Sequence, residues 1–137
     1  DVLFELGCRD SGFAHFRGQL AGLLWQQTQE TRWVFPLVER MLKEDDLESA
    51  SDALCRLGPA ALPYAARLLD LIEGDPDYWD LAWAAVDALG MMGPSAKEFL
   101  PRLERLRSHP SGLVKARTDI AIRRINGEVV EERGLEE

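Results

Sequence analysis

Small and apolar residues recur along the chain at intervals of three, four and seven, with charged residues between them. Ala50, Ala53, Leu54 and Leu57 form one such stripe at 3.6 residues per turn, and Leu62, Ala65, Ala66, Leu69 and Ile72 form another. Gly58 supplies the left-handed residue that ends the first helix, and Pro59 prevents its continuation. The same ending is written again at Gly93 and Pro94, and Gly74 closes the second stripe. No segment shows the strict two-residue alternation of a strand. The pattern predicts helices near residues 13–27, 31–43, 48–57, 60–73, 78–92, 95–108 and 111–125, after a helical remnant near 2–6. Pro36 and Pro101 fall about one turn inside their helices, where a missing N–H is tolerated. Residues 1–127 read as one helical domain. Residues 128–137 carry five Glu, one Arg and little apolar content, which predicts a frayed acidic tail.

The stripes repeat. Residues 50–59 (ASDALCRLGP) match residues 85–94 (AVDALGMMGP) at a shift of 35, and residues 121–127 (AIRRING) make a weaker third copy. Between them runs a second theme, Pro-x-x-x-Arg followed by an apolar residue, at Pro36 and Arg40, Pro63 and Arg67, and Pro101 and Arg105. Two alternating themes at periods of roughly 27 to 38 residues describe paired helices in a stack. Alanines in the first theme let neighbouring helix axes approach to the short end of the roughly 8–10 Å range.

Composition narrows the classes. The 137 residues suit one domain, and 46% hydrophobic with 29% charged residues is a globular balance. The net charge of −8 places phosphate binders well behind. No run of 18 apolar residues and no signal peptide is present, so the expected setting is cytoplasmic, with no membrane partner. Cys8 and Cys55 are too few for a disulfide framework and too isolated for a zinc site.

Catalytic chemistry finds little support. His15 and His109 with Cys8, Cys55 or the serines are the candidates for nucleophilic work, but a base needs its nucleophile and orienter within reach. His109 reads as loop punctuation and Cys55 as a packing residue. No phosphate loop, HExxH, CxxC or calcium loop occurs. Asp75, Asp77 and Asp80 alternate like cation ligands but lack the Gly and distal Glu of a calcium loop. The expectation is a non-enzyme without cofactor or metal.

On the helix endings at 50–58 and 85–93, with the Leu-Pro openings at 62–63 and 100–101, the chain resembles the HEAT repeat family, especially bacterial HEAT-like repeats of the phycobilisome-lyase type. The likeness covers roughly residues 48–127 well and 13–47 loosely. It implies an all-α, right-handed α-α superhelix of about three and a half helix pairs. By resemblance, such units are mostly adaptors and scaffolds that present a curved surface to a protein partner. The leading helices also look like those of small bacterial HEAT-type proteins encoded beside toxins, some of them immunity proteins. The alternative that the family holds is an enzyme or ligand carrier of DNA-repair or chromophore-lyase kind. The alkylpurine DNA glycosylases of HEAT type need a basic groove, whereas the central repeats here are acidic. A stack of helix pairs has no closed central cavity, but it offers the roughly 800 Å² per partner of a standard interface.

Charge and aromatics place the expected surface. Residues 1–96 hold sixteen acids and seven bases, whereas residues 97–124 hold eight bases and three acids. The acidic body would steer a cationic protein partner, and nucleic acid is not expected. Trp33, Tyr78 and Trp79 begin helices beside charged residues, and such aromatics are common at binding hot spots. Asp75, Asp77 and Asp80 surround the latter two. Trp25 and at least one of Trp79 and Trp83 read as core. The resemblance implies that second-theme helices, carrying Glu39, Arg40, Arg67 and Asp70, line the concave face. An exposed apolar end to the stack would imply further repeats or self-association.

Overall fold

The computed structural model describes residues 17–74 and 82–130. Seven α-helices occur among them: α1 (Arg17–Thr28), α2 (Thr31–Lys43), α3 (Leu47–Leu57), α4 (Ala65–Gly74), α5 (Ala82–Met91), α6 (Leu100–Arg105) and α7 (Gly112–Ile125). Short 3₁₀ segments, Gly58–Tyr64, Gly93–Phe99 and Leu106–Ser108, join or extend them, and no strand is present among the described residues. The remnant near 2–6, the start of the first expected helix, the loop around Asp75 and the last part of the acidic tail lie outside the described residues.

Local chemistry accounts for several of these boundaries. In α2 the buried residues Val34, Leu37, Val38 and Met41 keep the 3, 4, 7 spacing. Asp46 caps α3 by accepting the Ser49 N–H at 3.2 Å. Gly58 and Gly93 both take positive φ, 59° and 63°, at the points where the repeated Gly-Pro signals fall. The chain after each is not the start of an α-helix, as the stripe pattern predicts, but a seven-residue 3₁₀ stretch. With three residues per turn instead of 3.6, that stretch shifts the phase of the face behind it. The buried positions are therefore Ala61, Ala65, Leu68, Leu69 and Ile72, while Ala66 faces out. The expected stripe through Ala66 is corrected accordingly.

Packing follows chain order in one row: α1 lies on α3, α3 on α5 and α5 on α7. Small residues permit this closeness. A Cβ added to Gly90 of α5 would sit 2.9 Å from the Ala121 Cα of α7, and one on Gly18 would meet the Asp52 carboxylate. α5, flanked by α3, α4 and α7, is accordingly apolar on nearly all sides, with Ala82, Ala84, Ala85, Val86, Ala88, Leu89 and Gly90 buried. Helices α2, α4 and α6 form the other members of the pairs. Ion pairs link them in succession: Arg67 of α4 reaches Glu39 of α2 at 2.7 Å, and Arg102 of α6 reaches Asp70 and Glu73 of α4 at 2.7 and 3.0 Å.

One core runs through both sets of helices, from Ala21 and Leu24 to Ile122 and Ile125. Trp25, Trp33 and Trp83 are partly buried against it, so Trp25 and Trp83 sit at the edge of the core where the expectation put them within it, and Trp33, expected as a contact residue, packs there too. At the tail, Arg123 pairs with Glu128 at 3.3 Å and Arg124 donates to the Val130 carbonyl at 3.1 Å.

Candidate functional site

A concavity of about 480 Å³ opens between α1, α3 and α5. Asp46, Glu48, Ser49, Ser51, Asp52 and Cys55 come from α3 and its cap, Gly18 from α1, and Trp83, Ala84 and Asp87 from α5. At Gly18 the Asp52 side chain packs directly on the α1 backbone, where a larger residue would collide with it. Asp52 and Asp87 occupy the same position in the two copies of the repeat, 35 residues apart, so the stacking of α3 on α5 brings both to one recess.

The site is negative and partly clamped by the chain's own arginines. Arg56 holds Asp52 at 3.2 Å, and Arg117 of α7 lies 3.5 Å from Asp87. The Arg117 guanidinium also stands over the Trp83 ring, 5.9 Å from its centre. Arg17, buried at the start of α1, pairs with Glu44 and approaches Asp46 at 3.9 Å. Glu48 makes no ion pair among the described residues. Burial pushes the Cys55 thiol up to about 12, and the Asp87 and Asp52 carboxylates push it the same way. A thiol so placed stays protonated at neutral pH, which argues against its serving as a nucleophile. Ser51 is fully buried in the recess wall, and its Oγ has no hydrogen-bond partner.

The residues expected from sequence fall elsewhere. Glu39 and Arg67 meet directly through two hydrogen bonds of 2.7 and 2.8 Å, and the Tyr64 hydroxyl donates to Glu39 at 3.0 Å. These donors, Arg67 foremost, hold the Glu39 carboxyl below its usual range. Asp70 is engaged by Arg102, a residue outside the expected set. Arg40 pairs with Glu44 one turn on, at 3.1 Å. The Trp33 indole donates to Glu30 at 2.9 Å with Arg32 over its ring at 5.1 Å, apart from the Glu39 cluster. Asp75, Asp77, Tyr78, Trp79 and Asp80 lie outside the described residues, as do Cys8 and His15. His109 is buried and accepts the Ser111 N–H through Nδ1 at 3.0 Å.

The second-row charges thus join one helix pair to the next, while the concavity belongs to the first row. Sequence reasoning passed over Asp46, Glu48, Asp52, Trp83 and Asp87. The signal for two of them was available, since the Asp of Ala-x-Asp-Ala-Leu is the polar position that both repeat copies keep. No group of three His, Cys, Asp or Glu side chains among the described residues has the geometry to hold a metal. No described helix is long and apolar enough to cross a membrane. Leu23 of α1 and Leu113 of α7 are about half exposed at opposite ends of the row, at 47% and 51%. Comparison with family models, with curated proteins and with solved structures returned no match.

Proposed function

We propose that this chain is a non-catalytic protein-binding module, built as a right-handed HEAT-like superhelix and presenting an acidic surface to a cationic protein partner. Seven helices falling as three pairs and a half, with first-row helices stacked in chain order, support the architecture. The ion pairs between successive second-row helices favour a rigid frame, which lowers the ordering cost of binding. The observation that carries the function is the recess lined by Asp46, Glu48, Asp52 and Asp87 together with a partly buried Trp83. Carboxylates around an aromatic ring suit a basic partner, by long-range steering and by cation–π contact. An immunity or antitoxin role, in which this surface occludes a cationic target, is the narrower form of the same reading.

The test compares the wild type with a triple variant, Glu48→Lys, Asp52→Lys and Asp46→Asn, as baits in extract of the native host at near-physiological salt. The reading expects a protein rich in Lys and Arg, recovered by the wild type, lost by the variant and weakened by added salt. Recovery of no such protein, or equal recovery by both baits, removes it. Substrate conversion by the purified chain would do the same.

The recess also favours a second reading, that of a ligand carrier. Its volume lies within the roughly 300–1,000 Å³ of small-molecule sites. Thermal-shift screening of small cations and neutral metabolites separates the two, since a carrier is stabilised by a free ligand and a docking module is not.

A further inference from the structure

We infer that Asn126 is a site of spontaneous deamidation: the Gly127 nitrogen displaces its side-chain amide when the last turn of α7 opens, and the cap that closes the helix sets the rate. The inference is independent of the binding reading.

Asn126 is the only asparagine of the chain, and a glycine follows it. Glycine is the neighbour that favours this attack, because no Cβ crowds its nitrogen and its backbone turns freely. The other two copies of the repeat end differently. Their glycines follow Leu57 and Met92 and precede Pro59 and Pro94, so neither ending has an amide to lose. Asn126, Gly127 and Glu128 are exposed, and a Cβ built on Gly127 would meet nothing within 4 Å, so water and hydroxide reach the pair.

The chemistry needs no other reactant. Hydroxide takes the Gly127 N–H proton, the nitrogen bonds to the Asn126 Cγ, and the Cγ–Nδ2 bond breaks. Nδ2 leaves as ammonia with a proton taken back from water, and a five-membered imide remains. Water then opens the imide, at Cγ to give aspartate or at the backbone carbonyl to give isoaspartate. Nothing is oxidised or reduced, and the chain gains one negative charge.

The folded cap withholds this reaction. Ring closure requires the Asn126 Cβ and the Gly127 nitrogen to lie nearly eclipsed about the Cα–C bond, and the Asn126 ψ of 3° holds them far from that arrangement. The attacking nitrogen is also engaged. Gly127 donates its N–H to the Arg124 carbonyl and Glu128 donates to that of Arg123, both at 3.0 Å. These are the paired bonds of a helix closed by a glycine at positive φ, here 96°. Outside the cap, the Arg123–Glu128 ion pair at 3.3 Å and the bond from Arg124 to the Val130 carbonyl at 3.1 Å brace the returning chain. Reaction therefore proceeds from the opened turn, in proportion to its population. Isoaspartate lengthens the backbone by one carbon, so the two cap bonds no longer close together. Either product also sets a negative charge at the C-terminus of α7, which the helix dipole disfavours.

The experiment incubates the full chain at pH 8 and 37 °C, folded and in urea, beside a synthetic peptide of residues 121–130. Conversion is followed by mass spectrometry of the tryptic fragment 125–133, with isoaspartate separated by chromatography. The urea-unfolded chain should convert as fast as the peptide, and the folded chain roughly ten- to a hundredfold more slowly, the population factor of a local opening. Ile125 is the fully buried anchor of the last turn, and Ile125→Val should speed the folded chain by roughly two- to tenfold while leaving its rate in urea unchanged. The isolated isoaspartyl form should show faster hydrogen exchange at the Gly127 and Glu128 amides than the parent. A folded chain that converts as fast as the peptide, or an Ile125→Val variant that converts as slowly as the wild type, would overturn the gating. No product in the folded chain after about ten peptide half-lives, or a mass gain that survives in Asn126→Gln, would overturn the site itself. Equal amide protection in the isoaspartyl form would overturn the assignment of those two bonds as the gate.

Discussion

Glu39 shows how one carboxylate can serve as a joint between repeats. Arg67 and Tyr64 both reach it from the next helix pair, and Tyr64 is anchored in turn by an edge-on contact with Phe35, 5.0 Å between ring centres. The side chains of Glu39 and Arg67 are each 45% exposed, so solvent screening holds the worth of the pair to about 0.5–1 kcal/mol. Glu39→Gln should lower stability by that amount at pH 7, read as a urea midpoint shift at unchanged slope. The folded-state pKa lies below the ordinary value of 4.5, so the contribution is present above that value and is lost as pH falls through the depressed one. The gap between wild type and variant should therefore close in melts below pH 4.5, and a gap of constant size would show that the carboxylate is not the origin. Arg67 and Arg102 are 35 residues apart and each reaches back to a carboxylate on the preceding helix. The Pro-x-x-x-Arg theme pairs Arg67 with Arg105 instead, because prolines at different depths in their helices offset the register.

At the scale of elements, the closeness of first-row helices rests on missing side chains. Gly90→Ala would place a methyl 3.1 Å from the Ala121 Cβ and 2.9 Å from its Cα, forcing α5 and α7 apart. Overpacking of this kind costs about 1–3 kcal/mol, against a helix-propensity gain of about 1 kcal/mol. Net destabilisation is the expected outcome in thermal melts. Gly74→Ala, with nothing within 4 Å, is the control and should be neutral or stabilising. The start of α7 carries a pH-dependent contact. The His109 Nδ1 accepts the Ser111 N–H, and Ser111 caps the helix by accepting from Val114 at 3.3 Å. Protonation would remove that lone pair, and burial, followed by the charge of Lys115, lowers the His109 pKa from 6.5. Stability from this contact is thus present above pH 6.5 and declines as pH falls through the depressed value. Protection of the amides at residues 111–114, taken relative to their intrinsic exchange rates, is expected to fall as pH drops through that depressed value, and the same fall in His109→Gln would refute the assignment. The bounds of α2 and α3 were legible because their stripes and stop signals are local. The 3₁₀ stretches after Gly58 and Gly93 were not, since a Gly-Pro ending says where a helix stops and leaves open how tightly the next turn winds.

Over the whole molecule, contact spreads between neighbours in chain order, so disturbance should be local at the ends and general at the centre. α1 packs on α2 and α3 and has no extensive contact with α7 among the described residues, whereas α5 touches α3, α4 and α7. This adjacency also explains the limits of sequence reading. Alternation of two helix types was recoverable from the 35-residue repeat, but a recess that borrows Gly18, Asp52, Trp83 and Asp87 from three helices appears only once the helices are stacked. Its clamp, Arg117, lies 30 positions beyond Asp87, just ahead of the repeat copy with the weakest likeness. The same geometry yields a paired prediction. Leu24 and Leu89 are both fully buried, and truncating either to Ala removes a comparable side chain, at about 2–5 kcal/mol in a rigid core. In a quasi-linear stack the stability of each unit is set by itself and its neighbours. Leu24→Ala should then accelerate hydrogen exchange in α1 and α2 while α7 keeps its wild-type protection. Leu89→Ala should accelerate exchange in α3, α5 and α7 together. If Leu24→Ala loosened α7 as much as α1, the helices would be sharing one indivisible core, and the stacked-repeat architecture would fail with the rigid, extended surface proposed to rest on it.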